Sequence, residues 1–216
     1  MRKRVARAER TEATRRRLLD AARRVFLRRG FAGTSLDMIV REVGLTKGVV
    51  YSRFRSKADL FLALLEERID VRIAEMRAAA DREHGSLGLA TALSRQWAER
   101  MATDAEWSRL AIEFRLYAAR VPAVNRRYAT LHARLRGAMA DLIEREARET
   151  GESLPVEAED LARAALALGT GAVLERCAEG DAFPAHLFEV VNRALVLGLP
   201  SAVESPATRR LRRVAR

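Results

Sequence analysis

The residues best suited to chemistry fall in one stretch, Gly30 to Leu60. Lys47 can donate to guanine O6 and N7 or to a phosphate, and Val49 can make apolar contact with a thymine methyl. Gly48 has no side chain, so backbone there can approach a partner closely. Tyr51, Arg53 and Lys57 suit phosphate oxygens, as do Thr34 and Ser35 at the start of a helix. Thr46 precedes this set and can cap the segment that carries it. Catalytic chemistry has no comparable grouping. His84, His132 and His186 are far apart, and no H-x-x-x-H, G-x-S-x-G or phosphate loop is present. Carboxylates are plentiful but sit in Arg-rich amphipathic patterns, as on solvated faces. The lone Cys177 excludes an intrachain disulfide and a cysteine-based zinc site, and reads as a small buried apolar residue in preference to a redox switch. No catalytic residue, metal or cofactor is expected.

The segments that must position these residues are two short helices with a tight turn between them. Leu36, Ile39, Val40 and Val43 recur at helical spacing and line one face. Thr34 with Asp37 has the form of a capping box at the helix start. Gly44 stands where the first helix must stop, in a left-handed conformation. Thr46 then opens a second helix with Val50 and Phe54 inward, which leaves Lys47, Gly48, Val49 and Tyr51 outside. Such a pair is a helix-turn-helix, whose second member offers its N-terminal residues to the major groove.

The full run, G-F-A-G-T-S-L-D-M-I-V-R-E-V-G-L-T-K-G-V-V-Y-S-R-F-R-S-K-A-D-L, resembles the N-terminal motif of TetR/AcrR-family (tetracycline-repressor-like) transcription regulators. The resemblance implies an all-α chain of about nine helices. A three-helix DNA-binding head would be joined by a long helix to a ligand-binding and dimerisation body. It assigns Thr46, Lys47, Gly48, Val49 and Tyr51 to the reading helix. The family often has a hydroxyl where Val49 stands, and valine cannot supply that hydrogen bond.

Charge is distributed to match. Residues 1 to 60 carry 17 Lys+Arg against 6 Asp+Glu, a balance of +11, equal to the formal charge of the whole chain. Positions 61 to 208 hold 18 basic and 23 acidic residues, and the last eight residues hold five arginines. A basic end on a mildly acidic body suits a protein that meets a polyanion at one pole. The 49% apolar content allows a sizeable core. The longest uncharged run, Ala164 to Leu174, is far short of the roughly 18 residues of a membrane span. No secretion signal is evident, and a cytoplasmic location is expected.

In order, residues 1–10 read as a flexible basic arm, either solvated or following DNA. Residues 11–55 form the head, and a fourth helix beginning at Ser56 packs on it. Residues 56–199 form the effector-binding and dimerisation body, and 200–216 a disordered Arg-rich tail. Helices are expected over Thr11–Arg29, Ser56 to about Ala80, Leu87–Thr103, from Asp104 as a cap, from Pro122 to about Thr150, Val156–Glu179 and Ala185–Leu199. In the body, Trp97, Met101, Trp107, Phe114, Tyr117 and Tyr128 are bulky and helically spaced. They serve either as ordinary core or, as the resemblance implies, partly as walls of an effector cavity. Glu113 and Arg115 read as polar anchors there or as surface pairs. The last two helices are the dimer interface that the resemblance implies, with Leu166, Gly169, Thr170, Val173, Leu187, Val191, Ala194 and Leu195 as its candidates. The expected protein is a homodimeric repressor on a quasi-palindromic double-stranded DNA operator, released by a small apolar or aromatic effector, with no membrane partner. An activator or protein-responsive regulator would share every motif. An enzyme on a helical bundle is the reading from another class.

Overall fold

A computed structural model describes residues 2–180, 183–184 and 186–197, with side chains described from residue 11 to residue 195. Among the described residues the chain forms nine helices and no strands: α1 (Arg2–Arg29), α2 (Leu36–Val43), α3 (Lys47–Tyr51), α4 (Lys57–Ala80), α5 (Gly85–Thr103), α6 (Ala105–Ala119), α7 (Pro122–Thr150), α8 (Ala158–Glu179) and α9 (His186–Leu197). Helix α1 starts at Arg2, so residues 2–10 continue the helix expected only from Thr11. That stretch is Ala, Arg, Lys, Glu and one Val, with no Gly or Pro to break it. The expected tail at 200–216 lies outside the described residues.

The head closes where α1, α2 and α3 bury Leu18, Ala22, Phe26, Ile39 and Val50. Helix α2 is capped by Ser35, whose Oγ accepts from Met38 N, and not by Thr34 as the sequence pattern suggested. Thr34 is buried and its hydroxyl donates to Gly30 O at 2.7 Å. Gly44 ends α2 in the left-handed region at φ 67°, as the turn requires.

The head's core does not end at α4. Phe31 and Phe61 meet Phe114 of α6 at 5.0 and 4.2 Å between ring centroids, and Phe61 stacks on Trp107 at 5.4 Å. Phe114 and Tyr117, expected as possible cavity walls, are spent in this aromatic joint between head and body. A second core lies between α4, α5, α7 and α8, around Met76, Leu89, Met139 and Leu161. A third holds Trp97 and Phe188, stacked at 4.2 Å, against Val173. At the α4–α5 break, Glu146 and Glu152 accept from Gly85 N and Ser86 N at 3.2 and 2.9 Å, which satisfies free amides at the start of α5. Asp104 stands at the N-cap of α6, but its carboxylate pairs with Arg68 and makes no capping bond.

Candidate nucleic-acid interface and effector cavity

Helix α3 stands at the surface of the head with one residue, Val50, buried. Val49 and Tyr51 are among the exposed large apolar side chains, at 36% and 45%. The Lys47 side chain is 68% exposed. A Cβ at Gly48 would meet nothing within 4 Å, so open space surrounds it. Lys47, Tyr51 and α2 meet at one carboxylate. Lys47 Nζ donates to Asp37 Oδ2 at 3.0 Å, and Tyr51 Oη to Asp37 Oδ1 at 3.2 Å. The Lys47 bond, with smaller help from Tyr51 and Arg41, holds the Asp37 carboxyl below its usual range. These contacts hold two solvent-exposed side chains in place. Ser35, Thr46 and Arg53 are exposed on the same head, and Arg53 lies 3.5 Å from Thr11 O.

Two expected phosphate contacts are turned inward. Lys57 Nζ donates to Phe31 O, Ala32 O and Thr34 O at 2.7, 3.1 and 2.7 Å and sits over the Phe31 ring. An ammonium has three donors, and these three carbonyls take them. Thr34 is buried beneath the same loop. Lys57 and Thr34 therefore shape the α1–α2 loop. The opposite side of that loop is held by the body. Glu113 of α6 accepts from Phe31 N at 2.9 Å and from Ala32 N at 2.7 Å. Gly30, at φ 70°, lies so close that a Cβ would be 2.9 Å from Glu113 Oε2.

Below this joint a cavity of about 580 Å³ opens between α4, α5, α6, α7 and α8. Trp97, Met101, Trp107 and Tyr128 line it, four of the six candidates. Arg115 lines it too and donates to Thr170 Oγ1 at 3.4 Å. Glu113 and Arg115 thus serve opposite sides of α6, one the head and one the cavity. His132 shares the wall. Burial, with repulsion from Arg115, Arg136 and Arg72, pushes its imidazole down to about 4, so it is neutral near pH 7. Burial also pushes the Tyr128 phenol up. A narrower apolar cleft of about 50 Å³, lined by Met76, Leu89, Met139 and Leu161, shares Arg72, Trp97 and Arg100 with the chamber.

Cys177, expected to be buried, is exposed, and a Cβ at Gly171 would meet nothing within 4 Å, but Gly169 faces the interior. A Cβ at Gly169 would lie 3.2 Å from Trp97 Nε1 and 3.3 Å from Phe188 Cε2. Leu166 and Val173 are buried, Thr170 is bonded to Arg115, and Leu195 packs in the second core. These five expected interface residues are engaged within the protomer. Leu187 is exposed, and Val191 and Ala194 are half-buried. The outward apolar face of α8 and α9 is instead Leu174, Leu187 and Val190, 49%, 42% and 54% exposed. Ala167, Leu174 and Ala178 are exposed at spacings of seven and eleven from Ala167, so helical periodicity alone could have found this stripe.

Comparison with known proteins agrees with both halves. A family model described as bacterial regulatory proteins of the tetR family matches residues 18–64. A second, described as the C-terminal part of BetI-type transcriptional repressors, matches residues 88–200. The HTH-type transcriptional regulator SrpR of Pseudomonas putida is 42% identical over 61 residues, which cover 28% of this chain and 29% of SrpR's own length. The HTH-type transcriptional repressor Rv1474c of Mycobacterium tuberculosis is 29% identical over 172 residues, 78% of this chain and 84% of the relative. A TetR-family regulator from Syntrophomonas wolfei shares the fold, with a TM-score of 0.73 at 18% identity over 89% of this chain and 99% of that one. No helix among the described residues is long and apolar enough to cross a membrane.

Proposed function

From the premise that this chain belongs to the TetR family of bacterial transcription regulators, with their DNA-binding helix-turn-helix, we propose that it is a homodimeric repressor released from its operator by a small effector. The observation that carries the reading is the state of α3. Lys47, Val49 and Tyr51 project from the protein around an open Gly48, and α2 holds two of them through Asp37. An exposed valine and tyrosine on a helix of five residues add nothing to the protomer's own core, but they suit base edges and sugars in a major groove.

The effector would enter the chamber lined by Trp97, Trp107 and Tyr128, whose volume falls within the range of roughly 300–1,000 Å³ usual for small-molecule pockets. Two rigid connections run from there to the head. Helix α4 carries both the Lys57 loop contacts and cavity residues such as Ile69 and Arg72. Helix α6 presents Arg115 to the cavity and Glu113 to the α1–α2 loop. An effector that favours one placement of these helices would shift the spacing of two heads by differential binding alone. The second copy would cover the exposed Leu174, Leu187 and Val190 of α8 and α9. Two reading helices roughly one duplex turn or slightly more apart would then require a quasi-palindromic operator.

Footprinting the purified protein on the DNA upstream of its own gene tests this directly. A protected inverted repeat, lost when an apolar compound is added, is the expected result. Uniform binding without a protected sequence would overturn the operator assignment.

A further inference from the structure

One side chain in the cavity is out of keeping with its surroundings. Arg72 lines both the wide chamber and the narrow cleft, at the point where they meet. Its Nε is sealed from solvent and has no hydrogen-bond partner, and the guanidinium makes no ion pair among the described residues. Arg115 of this wall donates to Thr170 Oγ1 at 3.4 Å. Arg68 pairs with Asp104 and lies over the Trp107 ring, and Arg100 Nη1 meets Glu75 Oε2 at 3.4 Å. Glu75, whose charge favours the Arg72 guanidinium, already pairs with Arg100. Arg72 is half-buried, with its Nε fully covered, and taking part of a charge out of water without a partner is costly. A guanidinium is a planar fork that matches an oxyanion in bidentate fashion, and it stays charged where a lysine would neutralise. Around it the cleft is mostly hydrocarbon, with Met76, Leu89 and Leu161, and the chamber combines Trp97, Trp107 and Tyr128 with the carboxylates Asp20, Glu67, Glu75 and Asp104, of which Glu75 and Asp104 are paired with Arg100 and Arg68.

Resting on the reading of this cavity as the effector site, we propose that the effector is an oxyanion on a hydrocarbon body, with Arg72 as the anchor of its anionic group and Arg100 beside it. The negative head completes the coordination that the protein leaves open. The apolar body lies along Trp97, which faces both compartments. Burial and the neighbouring Arg100 lower the Arg72 guanidinium to about 10, consistent with an environment short of negative charge. Neutral His132 across the chamber adds no competing charge near pH 7.

The experiment is calorimetric titration of the full-length protein with four probes that share one tail: octanoate, octyl phosphate, octanol and octyltrimethylammonium. Both tryptophans of the chain, Trp97 and Trp107, line the chamber, so their fluorescence gives a second readout. At least one of the two anions should bind about tenfold or more tighter than octanol, since one charge-assisted hydrogen bond contributes that much, and the cation should bind weakest. Octyl phosphate ahead of octanoate would identify a phosphate head, and the reverse a carboxylate; either supports the proposal. Arg72→Met should bring the anions to the level of octanol and leave octanol unchanged. The same variant should raise the melting temperature of the ligand-free protein, because it removes an uncompensated charge; an arginine with a merely structural role would lower it. Octanol binding as tightly as the anions, or a preference for the cation, would overturn the anion assignment and leave the cavity reading standing. Binding of none of the four would overturn the cavity reading itself, and the inference with it.

Discussion

Glu113→Ala should loosen the joint between body and head. The carboxylate accepts two backbone N–H groups, from Phe31 at 2.9 Å and Ala32 at 2.7 Å. Bonds to a charged group contribute roughly 1.5–3 kcal/mol each. The bond to Phe31 is half-buried and the one to Ala32 exposed, so the lower end applies, and the pair should contribute about 2–3 kcal/mol in all. For a chain of this size that corresponds to a melting-temperature loss of roughly 5–10 °C. Glu113→Gln is the sharper variant. An amide has one oxygen, so its NH2 would face the second N–H, and two donors would oppose each other. Glutamine should therefore recover little of the loss despite its matching shape. Urea unfolding followed by the fluorescence of Trp97 and Trp107 gives the stability. Hydrogen exchange gives the local effect, with protection lost first at the amides of Phe31 and Ala32. Both variants falling within about 0.5 kcal/mol of the parent, the range of unremarkable surface changes, would refute the clamp.

Three further outcomes follow from the same geometry. Leu174→Glu combined with Val190→Glu places charge on the exposed α8–α9 face, and burying an unpaired carboxylate in an interface costs about 2 kcal/mol or more; sedimentation velocity should show a dimer become a monomer, and an unchanged dimer would place the interface elsewhere. His132 binds its proton only near pH 4 when folded but at its ordinary 6.5 when unfolded, so the unfolded chain gains protons first and stability falls as pH drops through that window. The loss is limited to about 1–2 kcal/mol by partial solvent access, and it should be absent in His132→Leu; parallel urea-stability curves for the two proteins across the window would contradict it. Asp37→Ala frees Lys47 and Tyr51 and removes a negative charge from the reading face. Gel-shift titrations should show tighter binding to arbitrary duplex and a smaller preference for the operator, and an unchanged preference would show that Asp37 does not set these side chains.

The head was legible because its constraints are local. Gly44 at the turn, the spacing of Leu36, Ile39, Val40 and Val43, and the outward set on α3 all follow from helix period and turn chemistry. Two features there were not local. A lysine in a first helical turn can point to water or to carbonyls far back in the chain, and Lys57 found those of Phe31, Ala32 and Thr34, at least 23 residues away. Thr34 and Ser35 are adjacent and both can cap, and only packing decides between them. In the body, the period reported which residues are apolar but not which neighbour they meet. Gly169 makes room for Trp97 and Phe188, contacts that its place in the sequence does not reveal. Arg72 did leave a trace in the sequence, for it stands three residues after Ile69, beside Ile73 and four before Met76, on a stripe otherwise buried. A charge on an apolar stripe marks the cavity wall. Glu113 left no such mark, since its partners are backbone amides 81 and 82 residues away.

The most direct measurement is the affinity of the Lys47→Ala, Tyr51→Ala double variant for the footprinted operator, read beside its affinity for an unrelated duplex. Both side chains are exposed, so their removal leaves the core intact. Operator affinity should fall by about tenfold or more, toward the level of the unrelated DNA, at unchanged thermal stability. Operator binding as tight as that of the parent would mean that α3 does not read the duplex.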